Sequence, residues 1–397
     1  MGMVTAEERA MMTIPLSRPA SRPLPPIAAT LALAGLLLWF ALPIITLDMT
    51  EFLTPWFDHI VRAGPIAAFA APFGNYAPAY LYLLAAVAPL AGLVAAPLLI
   101  KLVSLAGTVA LATAVRHLLV RLDAPQPNRA AALVLVLPSA LINAGLLGQC
   151  DAIWAAPCIM ALAAAVDRKH LVMLAWCGLA LGIKVQALLF APFFVALLIG
   201  RRVPLRFWPV APLVAAATTL PAWAAGWPAW DLATVYFRQA DTYPALALNA
   251  PNLWQIVEAL PLIGTLPLSG LALAGALGTT AAYIAWFSTR RLEGRALLAP
   301  ALLAPLLTAG LLPHMHERYF FLADILALAV ALTLRDKASW RVAAMVQGAS
   351  VLSLFGYLSG LDAMAMIGAI LMIAATIHVA RPLVRPFAND NPLLARA

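Results

Sequence analysis

The sequence contains few charged residues. Asp, Glu, Lys and Arg make up only 11% of its 397 residues, whereas a soluble domain carries about a quarter. This scarcity excludes an ordinary soluble enzyme. Hydrophobic residues account for 64% of the chain and the mean hydropathy is +0.92. The composition predicts a polytopic membrane protein.

Cysteine is also scarce. The chain has three, Cys150, Cys158 and Cys177, with no CxxC spacing. An odd number in this pattern argues against both a disulfide framework and a zinc site. Basic residues outnumber acidic ones by 25 to 17, but they are dispersed in pairs and triplets and form no basic stripe. We therefore expect no nucleic-acid partner.

Long apolar runs fill most of the chain. About 20 apolar residues are needed to cross a bilayer. The candidates are residues 25–47, 78–96, 98–118, 130–148, 152–166, 171–183, 186–200, 205–224, 264–288, 297–313, 319–334, 341–358 and 363–380. We predict an all-α polytopic transmembrane helical bundle of about 11–13 spans, and about twelve full crossings are favoured. Residues 25–380 form this domain, between cytoplasmic tails at 1–24 and 381–397. The run Ile27–Leu47 exceeds a signal-peptide core, so it is expected to be a retained first span.

The connecting loops fall into two sets. One set holds 20 of the 25 Lys and Arg residues. It comprises the N-terminus, Arg116–Arg129, Arg168–Lys169, Arg201–Arg206, Arg290–Arg295, Arg335–Arg341 and Arg381–Arg396. Because cytoplasmic loops are enriched in Lys and Arg, this set is predicted to be cytoplasmic and the acidic remainder to be external. The partition is satisfied only if one segment, for which Ala77–Leu90 is favoured, dips into the membrane without crossing.

The first external loop begins with Asp48, directly after the first span. A carboxylate held where lipid and water meet could remove a proton from a hydroxyl nucleophile. Alternatively, Asp48 caps the helix that follows. In that helix Trp56, Phe57, Ile60 and Val61 recur at helical spacing, which predicts an interfacial helix with its aromatic side toward lipid.

Two further polar positions lie between apolar segments. Gln149 and Asp151 occupy a short connection, where a polar turn capped by Asp151 is favoured on spacing alone. Lys184 has apolar residues on both sides and no carboxylate at helical spacing in its own segment. Such a cation requires a distant Asp or a ligand phosphate, unless its side chain extends to the interface.

The second long external loop contains Asn249, Asn252 and Trp254. Amide groups pair with sugar hydroxyls and aromatic rings cover sugar faces, so this composition suits a carbohydrate site. It suits an aromatic belt at the membrane interface equally well.

The densest polar cluster reads Pro-His314-Met-His316-Glu317-Arg318-Tyr. So many ionisable groups at membrane depth indicate function, and the planar fork of Arg318 suits a phosphate. A structural pair between Glu317 and Arg318 is the alternative. The two imidazoles are separated by two positions, which does not match a helical zinc motif.

Taken in order, these fragments resemble the GT-C class of integral membrane glycosyltransferases, and among them the bacterial mannosyltransferase-like proteins. The ordered set is Asp48, Tyr76–Tyr82, Gly148–Asp151, Ile183–Gln186, Asn249–Trp254 and His314–Tyr319. The sequence departs from the class at Ala77 and Ala79, where relatives often carry a Tyr-Pro-Pro arrangement around Pro78.

The resemblance implies roles for individual residues. Asp48 is expected to be the catalytic base, with Asp58 a less favoured substitute. Donor-phosphate contacts are expected from His316, Arg318 and Lys184. Sugar or acceptor contacts are expected from Tyr76, Gln149, Asp151, Asn249, Asn252, Trp254 and Glu317. The first loop has no DxD, so we expect no metal, and no cofactor is implied.

The implied reaction is inverting transfer of a mannose-type or glucose-type hexose from a polyprenyl-phosphate donor to a glycan or lipid-linked acceptor. It is expected at the periplasmic face of a bacterial inner (cytoplasmic) membrane. A nucleotide-sugar donor would call for a cytosolic domain with a Gly-rich phosphate loop, which the sequence does not contain. The alternatives are a transporter or flippase for a lipid-linked sugar, and a polysaccharide ligase that uses a diphosphate-linked donor.

Overall fold

A computed structural model of the protein describes residues 23–240, 245–260 and 268–384. Most of the predicted tails (residues 1–22 and 385–397), together with Asp241–Pro244 and residues 261–267, lie outside the described residues. Over the described ranges the chain is almost entirely helical. The prediction of an all-α polytopic protein is confirmed at this level.

The helices follow one another with short connections. They are α1 Ile27–Ala41, α2 Thr54–Ala63, α3 Pro78–Val87, α4 Ala96–Arg121, α5 Pro127–Ala132, α6 Pro138–Leu141, α7 Asp151–Val166, α8 His170–Ile183 and α9 Ala191–Gly200. They continue with α10 Val210–Ala217, α11 Leu220–Ala225, α12 Ala229–Ala240, α13 Leu253–Glu258, α14 Ser269–Ser288, α15 Leu298–Leu311, α16 Phe321–Leu334, α17 Lys337–Ser359 and α18 Asp362–Val384. Two short strands are β1 Ala247–Leu248 and β2 Met315–His316.

Tighter or wider helical turns interrupt the bundle. Turns of 3-10 helix lie at Ala67–Ala70, Ala88–Leu90, Leu133–Val136, Val185–Phe190, Leu205–Phe207 and Gly294–Leu297, and π-helical turns lie at Met49–Leu53 and Ile142–Leu146. π-Helical turns are rare and frequently occur at functional sites. Here one directly follows Asp48 and the other contains Asn143.

Six helical segments within the described residues are long and apolar enough to cross a membrane. They are Ala96–Arg121, Leu205–Ala225, Ser269–Ser288, Gly294–Leu311, Lys337–Ser359 and Asp362–Val384. A pair bent by 53°, Pro127–Val136 with Pro138–Leu146, would make a seventh span. Shorter apolar helices of 10–17 residues accompany them. The chain is therefore a multi-pass membrane protein by length and composition, and the count of about twelve crossings stays a prediction.

The segment predicted to dip into the membrane is one of these shorter helices, Pro78–Leu90. At about 1.5 Å per residue it extends about 20 Å, which is less than the apolar thickness of about 30 Å. Other apolar helices of the chain are similarly short, so the prediction that this segment does not cross the membrane stays a prediction.

Basic loops that are distant in sequence meet in space. Arg121 pairs with Asp167 at 3.1 Å, and Arg201 donates to the Leu292 carbonyl at 3.0 Å. We call this surface the basic rim; it comprises residues 116–129, 167–169, 201–206 and 290–295. Helix α7 ends at Val166, next to this rim, and begins at Asp151, about 24 Å away at 1.5 Å per residue. The loops predicted from charge to share one side therefore contact one another.

At the other end of the bundle, β1 pairs with β2 in parallel. Leu248 is aligned with His316, and the His314 amide donates to the Leu246 carbonyl at 2.7 Å. The His314 imidazole Nδ1 also lies 2.7 Å from the Ala245 carbonyl. This pairing fixes the segment that carries Glu317 and Arg318 against the second long loop.

The first long loop contains the helix that its apolar spacing predicts, α2, but the prediction of its orientation is wrong. Trp56, Phe57 and Ile60 are buried in the protein, and only Val61 is exposed. Trp56 makes an edge contact with the ring of Tyr76 at 5.1 Å between centroids. The aromatic side of α2 packs on the folded loop that follows it, because this loop supplies an apolar surface that competes with lipid.

Candidate functional site

Asp48 directs its carboxylate into the protein. Its Oδ2 accepts a hydrogen bond from Gln149 Nε2 at 2.7 Å, and its Oδ1 accepts one from the Tyr357 hydroxyl at 2.7 Å. The side chain makes no capping bond to the turn Met49–Leu53. Asp48 is therefore not a helix cap. Its carboxylate is bound instead by two residues that are distant in sequence, Gln149 and Tyr357.

Arg318 lies beside this carboxylate. Its Nη1 is 3.2 Å from Asp48 Oδ2, and the same nitrogen donates to Glu317 Oε1. The side chains of Arg318 and Asp48 are 11% and 12% exposed, so both are mostly buried yet accessible. The first external loop and the His-Glu-Arg segment thus meet in one group. We call Asp48, Gln149, Glu317, Arg318 and Tyr357 the Asp48–Arg318 cluster.

Glu317 acts as a permanent counter-ion to Arg318. Burial by itself raises the pKa of Glu317, but the Arg318 guanidinium and the neighbouring His316 lower it more strongly, to about 2. His316 Nδ1 lies 3.7 Å from Glu317 Oε2, beyond hydrogen-bond distance. A carboxylate with so low a pKa is a poor proton acceptor near neutral pH. Asp48, the other carboxylate on Arg318, is held by the neutral donors Gln149 and Tyr357 and remains the candidate base.

Lys184 and Asp151 form a buried ion pair. Lys184 Nζ donates to Asp151 Oδ1 at 2.5 Å, and the two side chains are 2% and 1% exposed. Asp151 also accepts hydrogen bonds from Asn143 at 2.6 Å and from Trp154 at 2.9 Å. Lys184 thus pairs with an Asp that is distant in sequence, and its side chain does not extend to the membrane interface. The protein therefore supplies an anion to Lys184, and the expected contact of Lys184 with a donor phosphate stays a prediction.

Tyr76 connects the ion pair to the Asp48–Arg318 cluster. Lys184 Nζ lies 5.0 Å from the centroid of the Tyr76 ring, and the Tyr76 hydroxyl donates to Gln149 Oε1 at 3.1 Å. Burial raises the pKa of Tyr76 to about 12, so its hydroxyl stays protonated and remains a donor. Tyr76 therefore orients the Gln149 amide, whose other end binds Asp48.

Asn252 and Trp254 do not join the cluster. The Asn252 side chain accepts from the Trp254 amide at 3.1 Å and caps α13. Its Nδ2 donates to the Ala309 carbonyl at 3.3 Å, while Trp254 Nε1 donates to the Leu311 carbonyl at 2.6 Å. Their polar atoms thus anchor α13 to the end of α15, and the expected sugar contacts of these two residues stay a prediction.

Asn249 is also engaged by the protein. Its Nδ2 donates to Asp362 Oδ1 at 3.3 Å, and its carbonyl accepts from the Ser353 hydroxyl. Its φ of +54° is a left-handed conformation that Asn tolerates better than most residues. A bridge to His316 places it beside the His-Glu-Arg segment. Of the three loop residues predicted to contact sugar, Asn249 alone borders the cluster.

Sequence reasoning missed three residues that support the cluster. Tyr357 has no distinguishing signal, because a Tyr at the end of an apolar helix is typical of the interface. Asn143, the partner of Asp151, lies in an apolar run. Lys101 carried a usable signal: it is a cation within an apolar helix, where ionisable groups are rare and usually functional.

Lys101 fixes the backbone that leads to Asp48. Its ammonium donates to three carbonyls at the end of α1 and just beyond it, those of Ala41 at 3.3 Å, Leu42 at 2.9 Å and Ile44 at 2.5 Å. The Ala41 carbonyl also accepts from the Ile44 amide at 3.2 Å, whereas the carbonyls of Leu42 and Ile44 lie beyond the last turn of α1. The side chain is fully buried, so Lys101 is a positioning residue for the start of the first loop.

Replacing Lys101 by Met should destabilise the protein by about 2–3 kcal/mol, because the carbonyls at the end of α1 lose a buried, charged donor. We expect this loss in denaturant unfolding of the purified protein in detergent. Lys169→Met is the matched control: Lys169 is 57% exposed, and such a surface change should stay within about 0.5 kcal/mol. Equal stability of the two variants would contradict the assigned role of Lys101.

No three His, Cys, Asp or Glu side chains in the described part of the chain are grouped so as to hold a metal ion. The cluster instead combines one carboxylate held by neutral donors with one guanidinium held by a second carboxylate. Such an arrangement can accept a proton on one side and stabilise an anion on the other. No model of a known protein family and no curated protein matches this sequence.

Proposed function

We propose that this protein is a membrane glycosyltransferase of the GT-C class. It moves a mannose-type or glucose-type hexose from a polyprenyl-phosphate donor to a hydroxyl of a glycan or lipid-linked acceptor. The observation that carries the proposal is the 3.2 Å contact between Asp48 Oδ2 and Arg318 Nη1 in a multi-pass membrane protein. Transfer from a phosphate leaving group needs a base and an anion-binding group at one site.

The reaction is a single displacement at the anomeric carbon. The acceptor oxygen bonds to this carbon while its proton passes to the Asp48 carboxylate. The bond between the carbon and the donor's phosphate oxygen breaks on the opposite side, and its electron pair stays on the departing phosphate. Arg318 stabilises this charge by charge-assisted hydrogen bonds. Attack opposite the leaving group inverts the configuration of the sugar.

Arg318 keeps a donor available for this role. Its Nε is buried and has no hydrogen-bond partner among the residues the structure describes. A buried donor without an acceptor is unfavourable by about 1–3 kcal/mol, and a phosphate oxygen would satisfy it. Glu317 meanwhile holds the guanidinium in position through Nη1.

The direct Asp48–Arg318 contact has to open when the donor binds, because the sugar must lie between the base and the leaving group. Asp48 and Arg318 each have other hydrogen-bond partners that would keep them in place once they separate. Gln149 and Tyr357 bind the Asp48 carboxylate, and Glu317 binds Arg318. The contact between Asp48 and Arg318 keeps both charges neutralised, which lowers the penalty of burying them.

The placement of the cluster suits a lipid-borne donor. Because Lys and Arg collect in cytoplasmic loops, the basic rim would face the cytoplasm and the cluster would face the periplasm. The abundance of Ala, Leu, Pro and Arg suits a bacterial genome rich in GC, and hence the inner membrane. The polyprenyl tail would remain in the bilayer while the sugar reaches Asp48.

The proposal is tested with purified protein in liposomes that contain a polyprenyl-phosphate hexose. Mass analysis of glycans and lipid-linked sugars from a deletion strain first names the missing hexose, and an extract of that strain supplies the acceptor. We expect the hexose on the acceptor and polyprenyl monophosphate as the second product. A diphosphate lipid product would indicate a ligase instead. Movement of intact donor across the bilayer without cleavage would indicate a transporter.

A further inference from the structure

The basic rim contains a cavity that the proposed reaction does not use. Its volume is about 410 Å³, and it lies where the ends of α9 and α14 meet the start of α8. Polar side chains on its wall are Arg168, His170, Arg201, Arg290, Arg291 and Glu293. The wall thus carries four guanidinium groups and one carboxylate, which leaves an excess of positive charge around a partly open cavity.

Two of these cations are held in place. Arg201 donates to the carbonyls of Ala165 at 2.8 Å and Leu292 at 3.0 Å. The Arg290 guanidinium lies 4.1 Å from the Trp286 ring centroid. A fixed guanidinium binds an anion with less loss of side-chain freedom than a mobile one. Gly200 lets the helices close the cavity wall, since a Cβ there would lie 2.7 Å from the Ser288 carbonyl.

Among the described residues that line the cavity, Glu293 is the one carboxylate, and it pairs with Arg168. The described residues that line the cavity carry four guanidinium groups and one carboxylate, so positive charge remains in excess after this pairing. Guanidinium groups match phosphate oxygens in geometry and charge. An anion with one or two negative charges would relieve the mutual repulsion of these cations.

His170 supplies a separate indication of a ligand. Its Nε2 is buried and has no hydrogen-bond partner among the described residues. The same side chain also lines a second hollow of about 260 Å³, whose wall includes the apolar residues Leu171, Val172, Val203 and Phe207. A polar cavity and an apolar hollow thus share one wall, which is the arrangement that an amphiphile requires.

We propose that the basic rim binds a phosphate ester, with its anionic group in the arginine-lined cavity and its apolar part in the adjoining hollow. Both an anionic phospholipid and a soluble phosphate ester carry the anionic phosphate group that this cavity would bind. Basic pockets at the ends of membrane helices bind anionic lipid head groups elsewhere. This site is separate from the proposed reaction, because α7 separates the Asp48–Arg318 cluster from the basic rim.

The test is native mass spectrometry of the full-length, delipidated protein in detergent. It is titrated with dioleoyl-phosphatidylglycerol, with dioleoyl-phosphatidylcholine and with sn-glycerol 3-phosphate. We expect phosphatidylglycerol to bind about tenfold more tightly than phosphatidylcholine, as one charge-assisted contact implies. Competition by glycerol 3-phosphate at equal concentration would assign the site to a soluble ester, and its absence would assign it to a lipid. Equal binding of the two lipids together with no binding of glycerol 3-phosphate would overturn the proposal.

Variants locate the binding. Arg291→Gln should weaken phosphatidylglycerol binding about tenfold. The matched control, Arg341→Gln, removes an exposed charge that does not line the cavity and should leave binding unchanged. An equal effect of the two variants would mean that binding depends on overall charge, and would contradict the site. If a variant fails to fold, the comparison of phosphatidylglycerol with phosphatidylcholine on the unmodified protein still tests the proposal.

Discussion

Asp48→Asn is expected to lower the rate of hexose transfer by about 10²–10⁴-fold, the usual contribution of a general base. The amide cannot take the acceptor proton, but it still accepts a hydrogen bond where the carboxylate binds Gln149 or Tyr357. Donor binding should persist or tighten, because Arg318 loses one of its two counter-ions. Turnover is measured in the liposome assay, and donor binding is measured by equilibrium retention on the purified protein.

Asp58→Asn is the matched control for this change. Asp58 belongs to the same loop and undergoes the same chemical substitution, but it is exposed on α2. We expect it to retain near-normal transfer. If Asp48→Asn kept most of its activity, Asp48 would not be the base. If it lost donor binding together with turnover, its role would be in binding the substrate.

Breaking the Lys184–Asp151 pair is expected to destabilise the protein by about 3–5 kcal/mol, because either single change leaves a buried charge without its partner. The pair is almost fully buried. Lys184→Met removes the cation and strands the carboxylate, although Asn143 and Trp154 still donate to it. Asp151→Asn strands the ammonium beneath the Tyr76 ring.

The double variant Lys184→Met with Asp151→Asn removes both charges. It should recover most of the stability that each single variant loses, since a buried ion pair is replaced by neutral groups of similar size at little net loss. Denaturant unfolding of all three variants in detergent completes the cycle. Losses that simply add in the double variant would show that the two side chains are not coupled, and would contradict the pair.

Several of the charged residues could be predicted from the sequence, but their partners could not. Asp48, Lys184 and Arg318 stand out because charges at membrane depth are unfavourable and therefore rare. Nothing in the spacing of the chain relates Asp48 to Arg318, or Lys184 to Asp151. These distances depend on how helices far apart in sequence pack.

The same limit applies to the residues of the second long loop and to α2. Asn252 and Trp254 have the composition of a sugar site, yet their polar atoms bind backbone groups at the end of α15. The apolar face of α2 is evident from its period, but the sequence does not say whether lipid or protein covers that face. Lys101 could have been found by the same rule that selected Lys184.

The sequence by itself determined that this protein is a helical membrane protein with a basic and an acidic set of loops. In a bilayer the backbone has no water to bind, so an apolar chain must satisfy its hydrogen bonds within each segment, as a helix does. Only the tertiary structure decided that Asp48 meets Arg318 and that Lys184 meets Asp151. Side-chain pairing depends on contacts between helices, and these are set by close packing across the bundle rather than by any local pattern.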